Sequence, residues 1–372
     1  MKRVVICIIL LLPLVFILSL PCRAAASLIP DDPIDDLRLQ VSDEVIGKME
    51  KLGYTGDITS GDNIGFREIL SLLLSEFTSA LSGPLSACAV IVGVLILSSV
   101  LEGYTHSLRY TETRDIMAAV TSLMLVSVLI APLVSLIRHA GEVFSNAASL
   151  MLLYVPLMAA IIGFSGRLVQ AGGYCATVMT ASQVIAQLSA HLFPQLLCAY
   201  LAISISCGVS GRVKLSGFSE LLGRFIRWFL GIVMALYSAV LTLQSAIARA
   251  GDTVASRAAR MTLSSLIPLI GSAVSDAYKT LQGSMDLLRS GAGVFVILAI
   301  LVAFLPIVVQ SILWLLIVRV SGYAAEALGV TAPMRLLTVI GSVLSVLIAL
   351  IVSVMSVFLI SSAVLIRAGA SS

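Results

Sequence analysis

The sequence predicts an all-α, polytopic membrane protein, and three observations predict it. Of its 372 residues, 59% are hydrophobic and only 12% are charged, whereas soluble domains are about 45–50% apolar and about 25% charged. Mean hydropathy is +1.08, more apolar surface than one aqueous core absorbs, so the excess faces lipid. The apolar residues fall in long runs, at 85–101, 116–137, 148–163, 174–190, 193–209, 225–247, 261–275, 292–318 and 337–366. A bilayer crossing takes ~20 such residues, so about seven to ten membrane helices are predicted.

The elements are taken in chain order. Met1-Lys2-Arg3 is a positive n-region, Val4 to Leu20 an apolar h-region, and Ala24-Ala25-Ala26 an A-x-A cleavage pattern. Residues 1–26 are therefore predicted to be a signal peptide, with an uncleaved first span as the alternative. Cys22 follows Pro21, where a lipoprotein site requires a small residue, so lipidation is not predicted. Residues 27–65 are acidic, with Asp31, Asp32, Asp35, Asp36, Asp43, Glu44 and Asp57 outnumbering Arg38, Lys48 and Lys51. They are predicted to form an exported arm with one short helix over Ile34 to Met49, too small for a core of its own. Residues 66–83 place Arg67, Glu68 and Glu76 beside Phe66, Ile69, Leu73, Phe77 and Leu81, the pattern of an amphipathic helix lying in the membrane interface.

Residues 84–372 form the multi-span domain, and it carries a periodicity. Pro84, Pro194 and Pro306 recur at intervals of about 110 residues, each before an apolar run that ends at Glu102-Gly103, Ser210-Gly211 or Ser321-Gly322. The next runs finish at Arg138-His139-Ala140-Gly141, Arg249-Ala250-Gly251 and Arg367-Ala368-Gly369, and Val155-Pro156-Leu157 pairs with Ile267-Pro268-Leu269. The predicted repeat units are 84–193, 194–305 and 306–372. Proline disfavours helix at the residue before it, so Pro84, Pro156, Pro194, Pro268 and Pro306 are predicted helix breaks, with Pro194 and Pro306 as equivalent corners. The short runs at 148–163 and 261–275 are either re-entrant or full crossings.

Basic residues favour the cytoplasmic side. With an exported N-terminus, the segment holding Arg109 and Arg114 and the one holding Arg212, Lys214 and Arg224 both fall there, which makes the repeats parallel. Arg249, Arg257 and Arg260 then fall outside, against the rule.

The chemistry the chain lacks narrows its function. It has no Walker A sequence, GxGxxG, HExxH or GxSxG, and His106, His139 and His191 have no second ligand at helical spacing. No catalytic, cofactor-binding or metal site is predicted, and the protein is not expected to be an enzyme. Cys7 and Cys22 lie in the leader, while Cys88, Cys175, Cys198 and Cys207 sit in apolar runs as small apolar residues, with no disulfide framework. Charged residues inside spans mark ion and proton pathways, and the middles of the secure spans at 116–137, 225–247 and 337–366 have none. Uncharged polar groups remain. Gln183 and Gln187 share a helical face, with Thr180, Ser182 and Ser189 nearby, and Gln244 and Gln310 lie in other spans. They either line an aqueous path or hydrogen-bond between helices, and the second is the simpler reading.

The leader, the stretch Phe66 to Leu81, the Tyr154-Val155-Pro156-Leu157 helix running to Ser165-Gly166, and Ile267-Pro268-Leu269-Ile270-Gly271 together resemble stage III sporulation protein AE. The resemblance covers nearly the whole chain and rests on diffuse, hydrophobic landmarks. It implies a component of the channel-like complex of endospore-forming bacteria, in the mother-cell membrane around the forespore. It also implies partners from the same operon: small membrane proteins, a ring-forming subunit and a secretion-type ATPase. It implies no catalytic residues. The leading expectation is a membrane-embedded core or scaffold of a multi-protein conduit; the alternative is an autonomous small-molecule permease.

Overall fold

The computed structural model describes residues 37–38, 41–52, 66–107, 111–164, 168–209, 220–243 and 271–369. The predicted signal peptide, most of the arm, Pro268 and Gln244 lie outside the described residues. Within them, every regular element is helical. In order these are α1 (Asp43–Lys51), α2 (Phe66–Ser107), α3 (Thr111–Phe164), α4 (Leu168–Gln187), a π-turn (Leu188–Leu192), α5 (Phe193–Val209), α6 (Glu220–Leu243), α7 (Gly271–Ala327) and α8 (Thr331–Gly369).

Among the described residues, five helices contain segments long and apolar enough to cross a membrane: Ser71–Tyr104, Ile116–Gly163, Glu220–Leu243, Ser290–Ala327 and Thr331–Arg367. Phe193–Val209 is a shorter apolar helix. The described helices are fewer and longer than the apolar runs predicted. Helix α3 has 54 residues, ~81 Å at 1.5 Å per residue, against a hydrocarbon core of ~30 Å.

The prolines explain the difference. Pro84 lies inside α2, Pro132 and Pro156 inside α3, and Pro306 inside α7, each without interrupting the helix. The predicted breaks at Pro84, Pro156 and Pro306 are therefore corrected. Residues 66–83 are the first part of α2, continuous with its apolar span, rather than a separate interfacial helix. In water a proline frees backbone groups that solvent then satisfies. In an apolar surrounding every freed N–H and C=O goes unpaired, so continuing the helix at the loss of one bond is the cheaper course.

Packing contacts give the direction of each helix. Along α7 from Gly322 through Arg319 to Gly293, the neighbours on α8 advance from Leu337 through Gly341 to Ile366, so the two form an antiparallel hairpin. Helices α5 and α6 do the same, Tyr200 meeting Gly223 and Phe193 meeting Phe229. Gly208 of α5 abuts Leu336, and Leu201 shares a cavity with Leu344, so α5 opposes α8 and runs with α7. Leu133 and Ile137 of α3 share that cavity, and Met151 meets Ser362, so α3 runs with α8. On α2, Ser99 donates to the Leu328 carbonyl at 3.2 Å, which puts the C-terminal end of α2 beside that of α7. Helices α5 and α7 thus point one way and α3, α6 and α8 the other.

The core sits where α3, α7 and α8 meet. Phe304 lies between Phe144 and Phe358, with ring centroids 5.9 and 6.5 Å away, and all three side chains are fully buried. The turn from α7 to α8 is closed by backbone geometry. Val330 N–H donates to the Ala325 carbonyl and Gly329 N–H to Glu326, both at 3.0 Å, with Gly329 at φ +75°. This is the Schellman arrangement, which requires a residue that tolerates the left-handed region. Pro333 in the first turn of α8 then starts the next helix.

Helix α1 is the described part of the arm. Asp43 and Glu44 occupy its first turn and Lys48 and Lys51 its last, the order that complements a helix dipole. Leu37 and Arg38 are also helical, but Val41 N–H closes a turn on the Arg38 carbonyl and Ser42 is extended, so the single helix predicted over Ile34 to Met49 is interrupted before Asp43. Leu37, Met49 and Leu52 are buried against the bundle.

Candidate functional site

Without a catalytic constellation to trace, the informative chemistry is the polar content of an apolar interior. Among the described residues, the buried polar groups are hydroxyls, eleven of Ser or Thr with those of buried tyrosines such as Tyr237; no Asp, Glu, Lys, Arg or His is among them. Four of them bond back to the carbonyl four residues earlier: Thr121 to Met117, Ser122 to Ala118, Ser361 to Val357 and Ser362 to Phe358. Ser362 also meets Met151 of α3, and Ser361 makes a second contact between helices. Ser361 Oγ donates to the Val357 carbonyl at 2.7 Å, which leaves it free to accept from the Tyr237 hydroxyl and tie α6 to α8.

Five buried hydroxyls have no partner: Thr177, Ser182, Ser189, Ser311 and Ser321. A buried donor left unpaired costs about 1–3 kcal/mol. Three of the five lie on α4 and the π-turn. Ser182 and Ser189 are two turns apart on the face that also buries Ala171, Cys175, Val178 and Ile185.

The polar residues predicted from sequence lie one step away. Gln183 and Gln187 do share a face of α4, but it is the exposed one; Gln310 is half-buried in α7. Helices α4 and α7 share no extensive contact surface, so the glutamines are not brought together. The 3.6-residue period puts Gln183 100° from Ser182, and the period alone does not say which of the two faces turns inward.

The π-turn marks the one place where a predicted proline break leaves a trace. Phe193 N–H donates to the Leu188 carbonyl, five residues back, and Pro194 is the second residue of α5. A proline in an α-helix lacks an N–H and crowds the carbonyl four residues earlier, a cost of ~3 kcal/mol or more. The wider turn just before Pro194 moves that carbonyl away. The chain remains helical through 168–209 apart from this change of pitch, so Pro194 does not break the helix, and it differs from Pro306, which α7 passes with no π-turn.

At the arm, Lys48 Nζ lies 2.7 Å from Glu44 Oε1 and 2.8 Å from Glu76 Oε1, clamping α1 to α2. The Lys48 and Glu76 side chains are only 17% and 15% exposed. Burial pulls the Lys48 ammonium down, but hydrogen bonds to Glu44 and Glu76 and their charges outweigh it and leave it raised. Glu44 is held below the ordinary carboxylate range by its hydrogen bond to Lys48, by that residue's charge and, more weakly, by His139 of α3. No local pattern in the chain marks this clamp, since Glu76 is far from Lys48 in sequence.

Among the described residues, the cavity at the centre is apolar. Where α3, α5 and α8 meet, a small cavity of about 10 Å³ is lined by Leu133, Ile137, Leu201, Ile340, Val343, Leu344 and Leu347. It is at most one water in size and has no polar partner for one. A wider groove of about 350 Å³ along α3, from Ile130 to Arg138, opens outward. Among the described residues no group of three or more His, Cys, Asp or Glu is placed to hold a metal ion.

Residues 50–369 match the family described as Stage III sporulation protein AE. The chain belongs to that family. The Stage III sporulation protein AE of Bacillus subtilis (strain 168) is 24% identical over 235 residues, which cover 63% of this chain and 58% of that relative. The aligned part is thus under two thirds of the relative's length. No solved structure matches. Membership of the stage III sporulation protein AE family ties the chain to sporulation, and the five long apolar helices among its described residues are those of a multi-pass membrane protein.

Proposed function

We propose that the chain is the membrane-embedded core or scaffold subunit of a multi-protein channel or secretion-like complex that links mother cell and forespore during endospore development. The observation that carries this reading is the interior. Its buried polar groups are scattered hydroxyls, and the α3–α5–α8 junction is closed by aliphatic side chains. A permease working alone needs a polar path through its own bundle. A scaffold needs outward apolar faces, and Leu97, Val100, Tyr104, Ile116, Leu123 and Trp228 provide them to lipid and to neighbouring subunits.

In this reading residues 1–26 are removed, the arm is exported, and the protein resides in the mother-cell membrane surrounding the forespore. The shared direction of α3, α6 and α8 supports a parallel repeat of about 110 residues, with the segments around Arg109 and Arg212 on the cytoplasmic side. The partners are other membrane proteins of the complex, a ring-forming subunit and a secretion-type ATPase. The chain has no chemistry of its own to perform.

Two measurements test this. Affinity purification of the full chain from sporulating cells should recover the ring-forming subunit or the ATPase in stable complex. Purified alone into liposomes, the chain should pass no small solutes above the empty-vesicle rate. Transport by the isolated chain would favour the permease instead.

A further inference from the structure

The run from Leu168 to Val209 holds one residue more than an α-helix of the same angular span. A π-turn carries about one extra residue relative to an α-turn, and such turns cluster at functional sites. Here it lies inside a continuous helical run, directly before Pro194. We propose that the π-turn at Leu188–Leu192 is a register switch that sets which face of α4 is buried against α3 and α8.

Two opposed features make the switch bistable. Pro194 disfavours the α form, because its missing N–H and its ring weigh against an α-turn at this point. Ser182 and Ser189 disfavour the π form, because that register buries both hydroxyls unpartnered. If the π-turn relaxes to α, the extra residue passes into the helix and α4 turns about 100° relative to α5, with an axial slide of ~1.5 Å. Each position on α4 is then taken by the next residue in sequence. Gln183 replaces Ser182 and Gly172 replaces Ala171 in the buried seam.

Both incoming residues are exposed in the present register, and a Cβ at Gly172 would meet nothing within 4 Å. The exchange brings a carboxamide, with two donors and an acceptor, into the place of an unpaired hydroxyl. It also withdraws Gln183 from the outer face of α4. The switch therefore changes the surface that this helix offers to a neighbouring subunit. It does not depend on which complex that subunit belongs to.

The test uses the full chain in liposomes, with native cysteines replaced and a nitroxide spin label placed at Gly172, Gln183 or, on α5, Ala199. All three positions are exposed and should give mobile spectra in the wild-type background. Pro194→Ala should raise the immobilised fraction at 172 and 183 on the order of tenfold, or at 199 if α5 is the helix that turns. Deleting Ala190 in the Pro194→Ala background removes the extra residue and should restore the mobile spectra. Unchanged spectra at all three sites would overturn the proposal. So would immobilisation that the deletion fails to reverse, which is the signature of misfolding rather than of a register shift.

Discussion

The α7–α8 hairpin and the α4–α5 run each meet a proline, Pro306 and Pro194, about 110 residues apart, and they answer it differently. Helix α7 passes Pro306 as unbroken α-helix. It is the most enclosed of the five long helices, packed by α8, α2 and α3. Its neighbours hold the backbone on course whatever one missing hydrogen bond costs. The α4–α5 run widens into a π-turn before Pro194 and buries three unpaired hydroxyls on the way. The contrast teaches that a proline does not by itself decide the fate of a helix.

The largest expected effect tests that packing directly. Phe304→Ala removes a ring held between two others from two different helices and should cost about 3 kcal/mol, read as thermal stability of the detergent-solubilised full chain. Phe193→Ala, on the α5 side, removes a ring paired with Phe229 alone and should cost less. Equal losses would remove the distinction between the two regions.

That distinction is only partly legible in the sequence. Long apolar runs announce helices, and the number of residues needed to cross a bilayer makes their existence secure. Their ends are harder to read, because the rule that proline breaks a helix holds in water, where a break at Pro84, Pro156 or Pro306 would expose backbone to solvent. The small residues Ser321-Gly322 suggest a stop for α7 that the structure does not make. The helix runs on to Ala327 and ends at Gly329, whose sequel Val330-Thr331-Ala332-Pro333 carries the glycine-then-proline signal of one helix ending and another beginning. Gly322 has no such sequel within the next turn. Gln183 and Gln187 do share one face, but their polar bulk draws attention away from Ser182, the smaller residue that the packing buries.

The hairpin turn gives the next largest effect. Gly329 sits at φ +75°, where a side chain costs about 1–2 kcal/mol, so Gly329→Ala should destabilise the α7–α8 hairpin by about 1 kcal/mol in the same thermal assay. Gly231→Ala on α6, where a Cβ would meet nothing within 4 Å, is the matched control and should hold or raise stability, by up to about 1 kcal/mol, because alanine is the better helix former. A loss at Gly231 as large as at Gly329 would mean the turn geometry is not what matters. Tyr237→Phe ranks next. It deletes the hydroxyl that α6 donates to Ser361 of α8, and interhelical hydrogen bonds of this kind contribute ~0.6 kcal/mol in membrane proteins. Ser361 keeps its bond to Val357 in the variant, so no acceptor is left stranded and the loss should stay near that figure.

The smallest effect has the opposite sign. Ser182 is buried with no hydrogen-bond partner, although the Val178 carbonyl lies four residues before it on the same helix. Replacing it by alanine removes a donor that gains nothing and cost desolvation to bury. The oxygen is small, so the void left behind adds little. Ser182→Ala should therefore leave thermal stability unchanged or raise it slightly, by up to about 1 kcal/mol. Ser361→Ala should lower it, because Tyr237 then loses its acceptor inside the bundle. The pair separates two kinds of buried serine that the sequence presents alike: one that holds two helices together and one that the π-turn register leaves unpaired. A loss at Ser182 as large as at Ser361 would show that its hydroxyl does have a partner, and that the α4 face is not the frustrated side of the comparison.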